Sequence, residues 1–429
     1  MTEGKINMDN NFNKSKSQKK IVVAMDSFKG SLTSLEAGNA VRDGILENYP
    51  DFDVQIFPVA DGGEGTVEAL TFAKEHVQTR TISVTGPVGT EVPVWYTIYE
   101  QAGERTAVLE MAQAAGLPLV PEERRNPLHT TTYGVGEMIR DAITCGCRKL
   151  ILGIGGSATN DAGIGMLQAL GFHFMDEAGR EVGYGAEGLV QVRSITTEHV
   201  LPELASCTFR IACDVTNPLV GAQGCSAVFA PQKGADAKMV QVMDAAMNRY
   251  ADIVEDMYRK NPTLMEYQLI GYDEAGKNVE KTDRQSHDKN RMTPGTGAAG
   301  GLGYACLMFL HAALKPGIDI VLEELQIEQA IKTADAIITG EGRFDAQTLM
   351  GKTPIGVARI AKSYKVPVYA FAGCFGADVQ ACIDSGVFAG CYAASTANTE
   401  EEKRLAMEKT HAYANLKACV KAHFHAENN

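Results

Sequence analysis

The sequence predicts two layers of α/β structure: a doubly wound parallel sheet whose chain is interrupted by an inserted second α/β domain with a mixed sheet. Three observations predict it. Short β-type runs alternate with amphipathic helical segments at both ends of the chain, the pattern of a parallel sheet covered by helices. The middle breaks that alternation with strand-like pieces separated by Gly-Pro and Gly-Glu turns. The length, 429 residues, exceeds the size at which a single core stops growing, so more than one domain is expected.

In chain order, residues 1–19 carry lysines and asparagines but no apolar run. They read as a disordered tail and not as a secretory signal. Strands are expected at 21–25 and 53–58, and helices at 33–48 and 63–75, giving β-α-β-α. The stretch "TRTISVTGPVGTEVPVWYTIYEQAGERTAVLEMA" has no helical period and reads as an antiparallel meander. A helix at about 133–145, a strand at 149–154, a helix at about 160–170 and a long helix at about 236–260 follow. Residues 261–293 are polar and poorly periodic, an excursion on the surface. After "TPGTGAAGGLG" the alternation returns, with strands at 335–339, 366–371 and 387–393 between helices near 353–363, 377–384 and 400–420. The doubly wound domain is therefore expected to comprise 20–80 and 295–429, and the inserted domain 81–294.

Bulk properties exclude several classes of function. The 40 Lys and Arg against 53 Asp and Glu leave a formal charge of -13, which repels nucleic acid and acidic membrane faces. No apolar stretch approaches a membrane span. Ten scattered cysteines, with only a C-x-C pair at Cys145 and Cys147, indicate neither a zinc site nor a disulfide framework, and a reducing cytoplasm fits.

The chemistry lies where strands end. Five apolar runs stop in turns rich in Asp, Gly and hydroxyl residues: "IVVAMDSFKGSLTS", "VQIFPVADGGEGTVEAL", "KLILGIGGSATNDAGIGM", "FRIACDVTNPLVG" and "ADAIITGEGRFDAQTL". Open α/β sheets bind ligands at such strand ends. Glycine there lets backbone N–H groups approach an anion, and "GIGGSATNDAG" at 153–163 supplies this most densely. Asp26, Asp61, Glu64, Asp161, Asp214, Glu341 and Asp345 sit at these junctions. One such carboxylate is most often a cap or a loop-ordering residue; their recurrence beside glycine loops, Lys29 and Arg343 suits phosphoryl transfer, where a protein positions groups, holds Mg²⁺ and neutralises charge.

Other motifs are weaker. Gly153, Gly155 and Ala158 have dinucleotide-fingerprint spacing with Asp176 about 20 residues on, but "GFHFMDEAGRE" reads as a hairpin and not as a second strand end. "GKT" at 351–353 is not a Walker A loop, because the earlier glycine it requires is Ala346. Ser157 stands in "GGSAT", not G-x-S-x-G.

The stretches "DSFKGSLTS", "ADGGEGT", "TGPVG", "EMAQAAGL", "TTYGVGEMI", "GIGGSATNDAGIGMLQALG", "CDVTNPL", "FAPQKGA", "GTGAAGGLG" and "TGEGRFDAQTLMGKTPIGVARIAK" occur in this order over about residues 20–375. With them the chain resembles the type-1 family of glycerate kinases. The resemblance implies ATP- and Mg²⁺-dependent phosphorylation of D-glycerate to 2-phosphoglycerate and ADP, with the 3-hydroxyl as the alternative position. It implies a flavodoxin-like domain, a second α/β domain and an active site in the cleft between them. By motif, Asp26, Ser27, Lys29, Asp61, Gly62, Gly63 and Glu64 are expected to line the cleft from the first domain, joined by Glu341, Arg343 and Asp345. Gly155, Gly156, Ser157, Asn160, Asp161, Asp214 and Asn217 are expected to face them. Asp161 or Asp214 would bind Mg²⁺ or act as base, and Lys29 and Arg343 would hold carboxylate or phosphate. Asp161→Asn is accordingly expected to lower turnover by orders of magnitude without unfolding the protein, and the domains to close and exclude water. Which loop holds ATP stays open, as does the choice between monomer and homodimer. The rival readings are an NAD-dependent oxidoreductase built on 149–176 and a small-anion binding protein, although a pure anion binder would avoid so many carboxylates.

Overall fold

The computed structural model describes residues 18–63, 65–72, 74–260, 270–272, 278–280, 290–395, 397 and 399–425. Glu64, residues 1–17 of the expected tail and most of the 261–293 excursion lie outside the described residues.

The first layer is built on β1 (Lys20–Met25), β2 (Asp53–Ile56) and, much later in the chain, three further strands. Between the two groups run β3 (Glu75–Thr85), β4 (Glu91–Gln101), β5 (Glu104–Glu110), β6 (Lys149–Gly153), β7 (Thr208–Ala212) and β8 (Ala313–Lys315). The chain then returns to the first layer with β9 (Ala336–Gly340), β10 (Val368–Ala372) and β11 (Gly390–Ala393). The first sheet has the order β11-β10-β9-β1-β2 and is parallel throughout. Counting only its own strands, this is the 2-1-3-4-5 order of flavodoxin-like folds, whose ligand crevice opens between the first and third strands. Here that switch point lies between β1 and β9, where Met25 pairs with Gly340.

Helices cover both faces, which is why β1 and β9 are apolar along almost their whole length and do not alternate. The helix Ser34–Asn48 begins where Thr33 and Glu36 form a capping box. The helix expected at 400–420 is two helices, Glu400–Met407 and Lys409–His423, broken at Glu408, which is in an extended conformation.

The second sheet has the order β8-β7-β6-β5-β4-β3. Strands β3 to β5 form the expected antiparallel meander, and β5 to β8 are parallel. One difference concerns the return point, expected at 295. The helix Ala298–Phe309 packs into the core of the second sheet, and β8 extends that sheet's edge beside β7. Residues 298–315 thus belong by packing to the second layer. Ala299, Gly300 and Gly301 have φ of 52°, 66° and 90° within that helix. A Cβ on Gly300 would stand 2.1 Å from the Thr159 carbonyl oxygen, and the Gly300 carbonyl accepts from Ala162 N–H at 2.9 Å. "GTGAAGGLG" is therefore glycine-rich to pack against "GGSATNDAG".

Candidate active site

At the switch point two carboxyl groups follow adjacent strands. Asp26 leaves β1 and Glu341 leaves β9, with Asp26 N–H donating to the Gly340 carbonyl at 2.9 Å. Both are buried, Asp26 at 5 % exposure and Glu341 at 8 %. Asp26 accepts from Ser27 N–H at 2.6 Å and from Thr353 Oγ1 at 2.6 Å. Burial pushes the Asp26 carboxyl up to about 7 against those two bonds, and the negative charges of Asp61 and Glu341 push the same way. Glu341 is raised chiefly by burial; it accepts from Thr348 Oγ1 at 2.7 Å and faces Lys352 Nζ at 3.5 Å. The cost of charging these groups in a low-dielectric crevice is the perturbation expected of a functional carboxyl.

The turn after β2 joins this crevice to the second layer. Gly62, at φ 98°, packs so closely that a Cβ would stand 3.1 Å from Gly317 Cα and 3.3 Å from Asp214 Oδ2. Asp61 Oδ1 accepts from Gly63 N–H at 3.2 Å, shaping that turn. Asp214, just beyond β7, accepts from Gly317 N–H at 2.9 Å. It is open to solvent on one flank, and its partial enclosure between the layers raises its carboxyl, with Asp61 adding to the effect. Asp61 thus stands between Asp26 and Asp214 as the charge both of them feel. Gly153, at the end of β6, faces the same turn: its Cβ would lie 3.6 Å from the Gly62 carbonyl oxygen.

The expected cations flank the crevice. Lys29 is exposed on the turn after Phe28. Arg343 is also exposed, its Nε 3.7 Å from Asp345 Oδ2, while Asp345 caps the following turn by accepting from Gln347 N–H at 3.0 Å. The hydroxyl oxygens of Ser27, Ser31 and Thr66 are buried without a hydrogen-bond partner. Orphaned hydroxyls beside a carboxyl crevice are what a polar ligand would satisfy.

Three expected residues are bonded within the protein itself. Asp161 is fully buried: one carboxylate oxygen accepts from Thr132 N–H at 2.9 Å and Thr132 Oγ1 at 2.8 Å, the other from Gly163 N–H at 3.1 Å. That carboxyl joins the start of the helix Tyr133–Thr144 to the start of Ile164–Ala169. Asn160 is equally buried, donating to Ser226 Oγ and Met243 Sδ. Asn217 donates to the Gln223 carbonyl at 2.8 Å and ties its own loop. Gly155 and Gly156 remain exposed at the turn, and Ser157 is bonded by Lys233 Nζ at 2.7 Å.

Sequence reasoning assigns no role to Thr348, Thr353 or Lys233, and gives Lys352 functional weight only because it lies just beyond "GEGRFDAQ". The signal for Thr353 was the "GKT" discounted as a Walker loop: its threonine is the hydroxyl that binds Asp26. Asp176, the required ribose reader of a dinucleotide site, is bonded within its own turn by Ala178 N–H and Arg180. That geometry leaves the oxidoreductase reading without its acid.

Among the described residues no three His, Cys, Asp or Glu side chains converge as a metal cage. Mg²⁺ normally takes one or two carboxylates and fills its shell with water and phosphate oxygens, and the neighbouring Asp61 and Asp214 fit that mode. A crevice of about 390 Å³ lined by Lys74, Gln101, Glu324 and Gln326 lies at the other end of the second sheet's parallel strands, away from this chemistry. No helix among the described residues is long and apolar enough to cross a membrane.

Comparison with known proteins gives the family. The model of the glycerate kinase family matches residues 21–424, continuing past the last sequence motif near 375. The glycerate kinase of Bacillus subtilis strain 168 is 46% identical over 368 residues, covering 86% of this chain and 88% of that protein. The glycerate 2-kinase of Escherichia coli K12 is 42% identical with the same coverage of each. A crystal structure provisionally described as glycerate kinase 2 of Salmonella typhimurium LT2 superposes with a TM-score of 0.76 at 40% identity, over 94% of this chain and 99% of that one. A family match over residues 21–424 and relatives at 40 to 46% identity establish that the chain belongs to the glycerate kinase family.

Proposed function

We propose that this protein transfers the terminal phosphoryl group of ATP to the 2-hydroxyl of D-glycerate, with Mg²⁺, giving 2-phosphoglycerate and ADP. The observation that carries the mechanism is Asp26, a buried carboxyl at the switch point raised to about 7. A general base works best with a pKa near the operating pH. Asp26 takes the proton of the substrate hydroxyl as that oxygen bonds to the terminal phosphorus, and the bond from phosphorus to the bridging oxygen breaks toward ADP. Lys29 and Arg343 hold the glycerate carboxylate or the transferring phosphoryl group. Asp61 and Asp214 would hold Mg²⁺, which supplies charge neutralisation on the phosphate oxygens. Asp161 is assigned a positioning role, because its carboxylate is committed to Thr132 and Gly163.

The 2-position is supported by the name of the Escherichia coli relative, and a cytoplasmic location by ten cysteines that are all free thiols. The test is ³¹P NMR of the protein with MgATP and D-glycerate. A 2-phosphoglycerate signal is expected. A 3-phosphoglycerate signal would keep the kinase and move the position, and no ester from folded protein would remove the reading.

A further inference from the structure

Lys233 closes the turn Pro231–Lys233 in "FAPQKGA" and is 2 % exposed. Burying an ammonium forfeits its hydration, so its N–H groups must find acceptors. Nζ donates to Ser157 Oγ at 2.7 Å and to the Thr159 carbonyl oxygen at 2.6 Å. Both of these partners are neutral. Asp161 is near enough for its charge to be felt, but its oxygens accept from Thr132 and Gly163. Burial brings the lysine down to about 8, so it keeps its proton at neutral pH.

The consequence falls on Ser157. An ammonium has no acceptor, so Ser157 Oγ receives the lysine's hydrogen and keeps its own O–H free to donate. The turn that carries it is fixed on both sides, by Leu117 N–H to the Gly156 carbonyl at 2.9 Å and Ala158 N–H to the Ala115 carbonyl at 2.8 Å. Gly155 and Gly156 are exposed, and nothing lies within 4 Å of where a Gly155 Cβ would stand. The root of the turn, Gly153, lies against the turn after β2, where its Cβ would stand 3.6 Å from the Gly62 carbonyl oxygen.

We propose that Lys233, acting through the Ser157 hydroxyl, gives the Gly155–Ser157 turn the positive character with which it holds an anionic oxygen of a substrate, a nucleotide phosphate or the glycerate carboxylate. Lys233 is thereby a positioning residue, and Ser157 is the donor that touches the anion. The inference rests on the kinase reading for the identity of its ligands.

Calorimetric titrations of MgATP and, separately, of D-glycerate into wild type, Ser157→Ala, Lys233→Met and the double variant test it, with KM and kcat measured alongside. A hydrogen bond to a charged group supports a loss of roughly 10- to 100-fold in affinity for one ligand, and which ligand weakens identifies the source of the anion. The double variant should lose no more than the weaker-binding single variant, because the two residues act as one device. Ser157→Ala binding both ligands within twofold of wild type would overturn the proposal, as would losses that multiply independently. If Lys233→Met does not fold, Ser157→Ala decides alone. Wild type that binds but does not turn over would sink the kinase reading and leave this one standing; wild type that binds neither ligand would sink this one.

Discussion

Replacing Asp26 by Asn separates the stability of this fold from its chemistry. The carboxyl ordinarily ionises near 3.8 and is raised to about 7 in the fold. At about 1.36 kcal/mol for each pH unit, ionising it in place costs about 4 kcal/mol. The sign follows from which state holds the proton. Between pH 3.8 and 7 the unfolded chain has lost its proton and the folded protein has not, so wild type loses stability as pH rises through that window and is weakest above 7. Asn carries no charge at any pH. It gives up one of the two oxygens that accept from Ser27 N–H and Thr353 Oγ1, at about 1 kcal/mol, so a net gain of about 3 kcal/mol is expected at pH 8. With roughly 1 °C for each kcal/mol in a chain of 429 residues, Asp26→Asn should melt about 3 °C above wild type at pH 8 and at or below it at pH 4.5. Turnover should fall by about 10²- to 10⁴-fold, the usual worth of a general base. Melting curves at the two pH values in metal-free buffer, with a coupled assay for ADP, measure both quantities. A gap between the two proteins that does not change with pH would refute the claim that burial holds Asp26 neutral, whatever happens to turnover.

Two further substitutions probe the frame around that carboxyl. Asp161→Asn removes an acceptor from the pair of helix starts it joins and should cost about 2 to 4 kcal/mol, while the protein that remains folded keeps a KM close to wild type; an unchanged melting temperature with turnover reduced a hundredfold would return Asp161 to the catalytic set. Gly62→Ala and Gly89→Ala both force a side chain onto a left-handed φ, 98° and 82°, at about 1 to 2 kcal/mol each. Only at Gly62 does the new Cβ press on Asp214 and Gly317, so only Gly62→Ala should lower kcat by tenfold or more; equal kcat values for the two variants would disconnect this contact from catalysis.

Much of this was written locally and could be read. The strands β1 and β9 are apolar on both faces because helices cover both, and a continuous apolar run signals that directly. Thr33 announces its helix by the capping box with Glu36. The return point near 295 could not be read, because β8 is three residues long and owes its place to pairing with β7, a contact that leaves no periodic trace. Asp161 is ambiguous for a related reason. A strand-end aspartate in a glycine loop looks the same whether it faces a ligand or a neighbouring helix, and the partner that decides the matter, Thr132, is 29 residues away. Lys233 was silent because lysines are ordinarily solvated; only the fold shows that this one is sealed behind Ser157.

The same packing changes what closure of the cleft can mean. Domain closure over the substrate was the expectation, and it presumes an interface that can part. Yet Tyr99, Val108, Ile151 and Ala212, from strands β4 to β7 of the second sheet, lie in one buried cluster with Ile318, Val321 and Val357 and with Val22 and Ile337 of the first sheet. Polar ties rim that cluster: Tyr99 OH donates to Glu324 Oε2 at 2.8 Å, and Arg210 pairs with Glu323 and Glu324. Relative motion of domains is the default when their interface is small and polar, and not when it is apolar and continuous. Opening this interface would expose the side chains that hold the first sheet to its own helices. Water must then be excluded by the parts outside the cluster, the loops after β1, β2 and β9. These are the segments that carry Asp26 and Asp61, so on the proposed mechanism the base, a carboxylate for Mg²⁺ and the segments that would exclude water share the same turns.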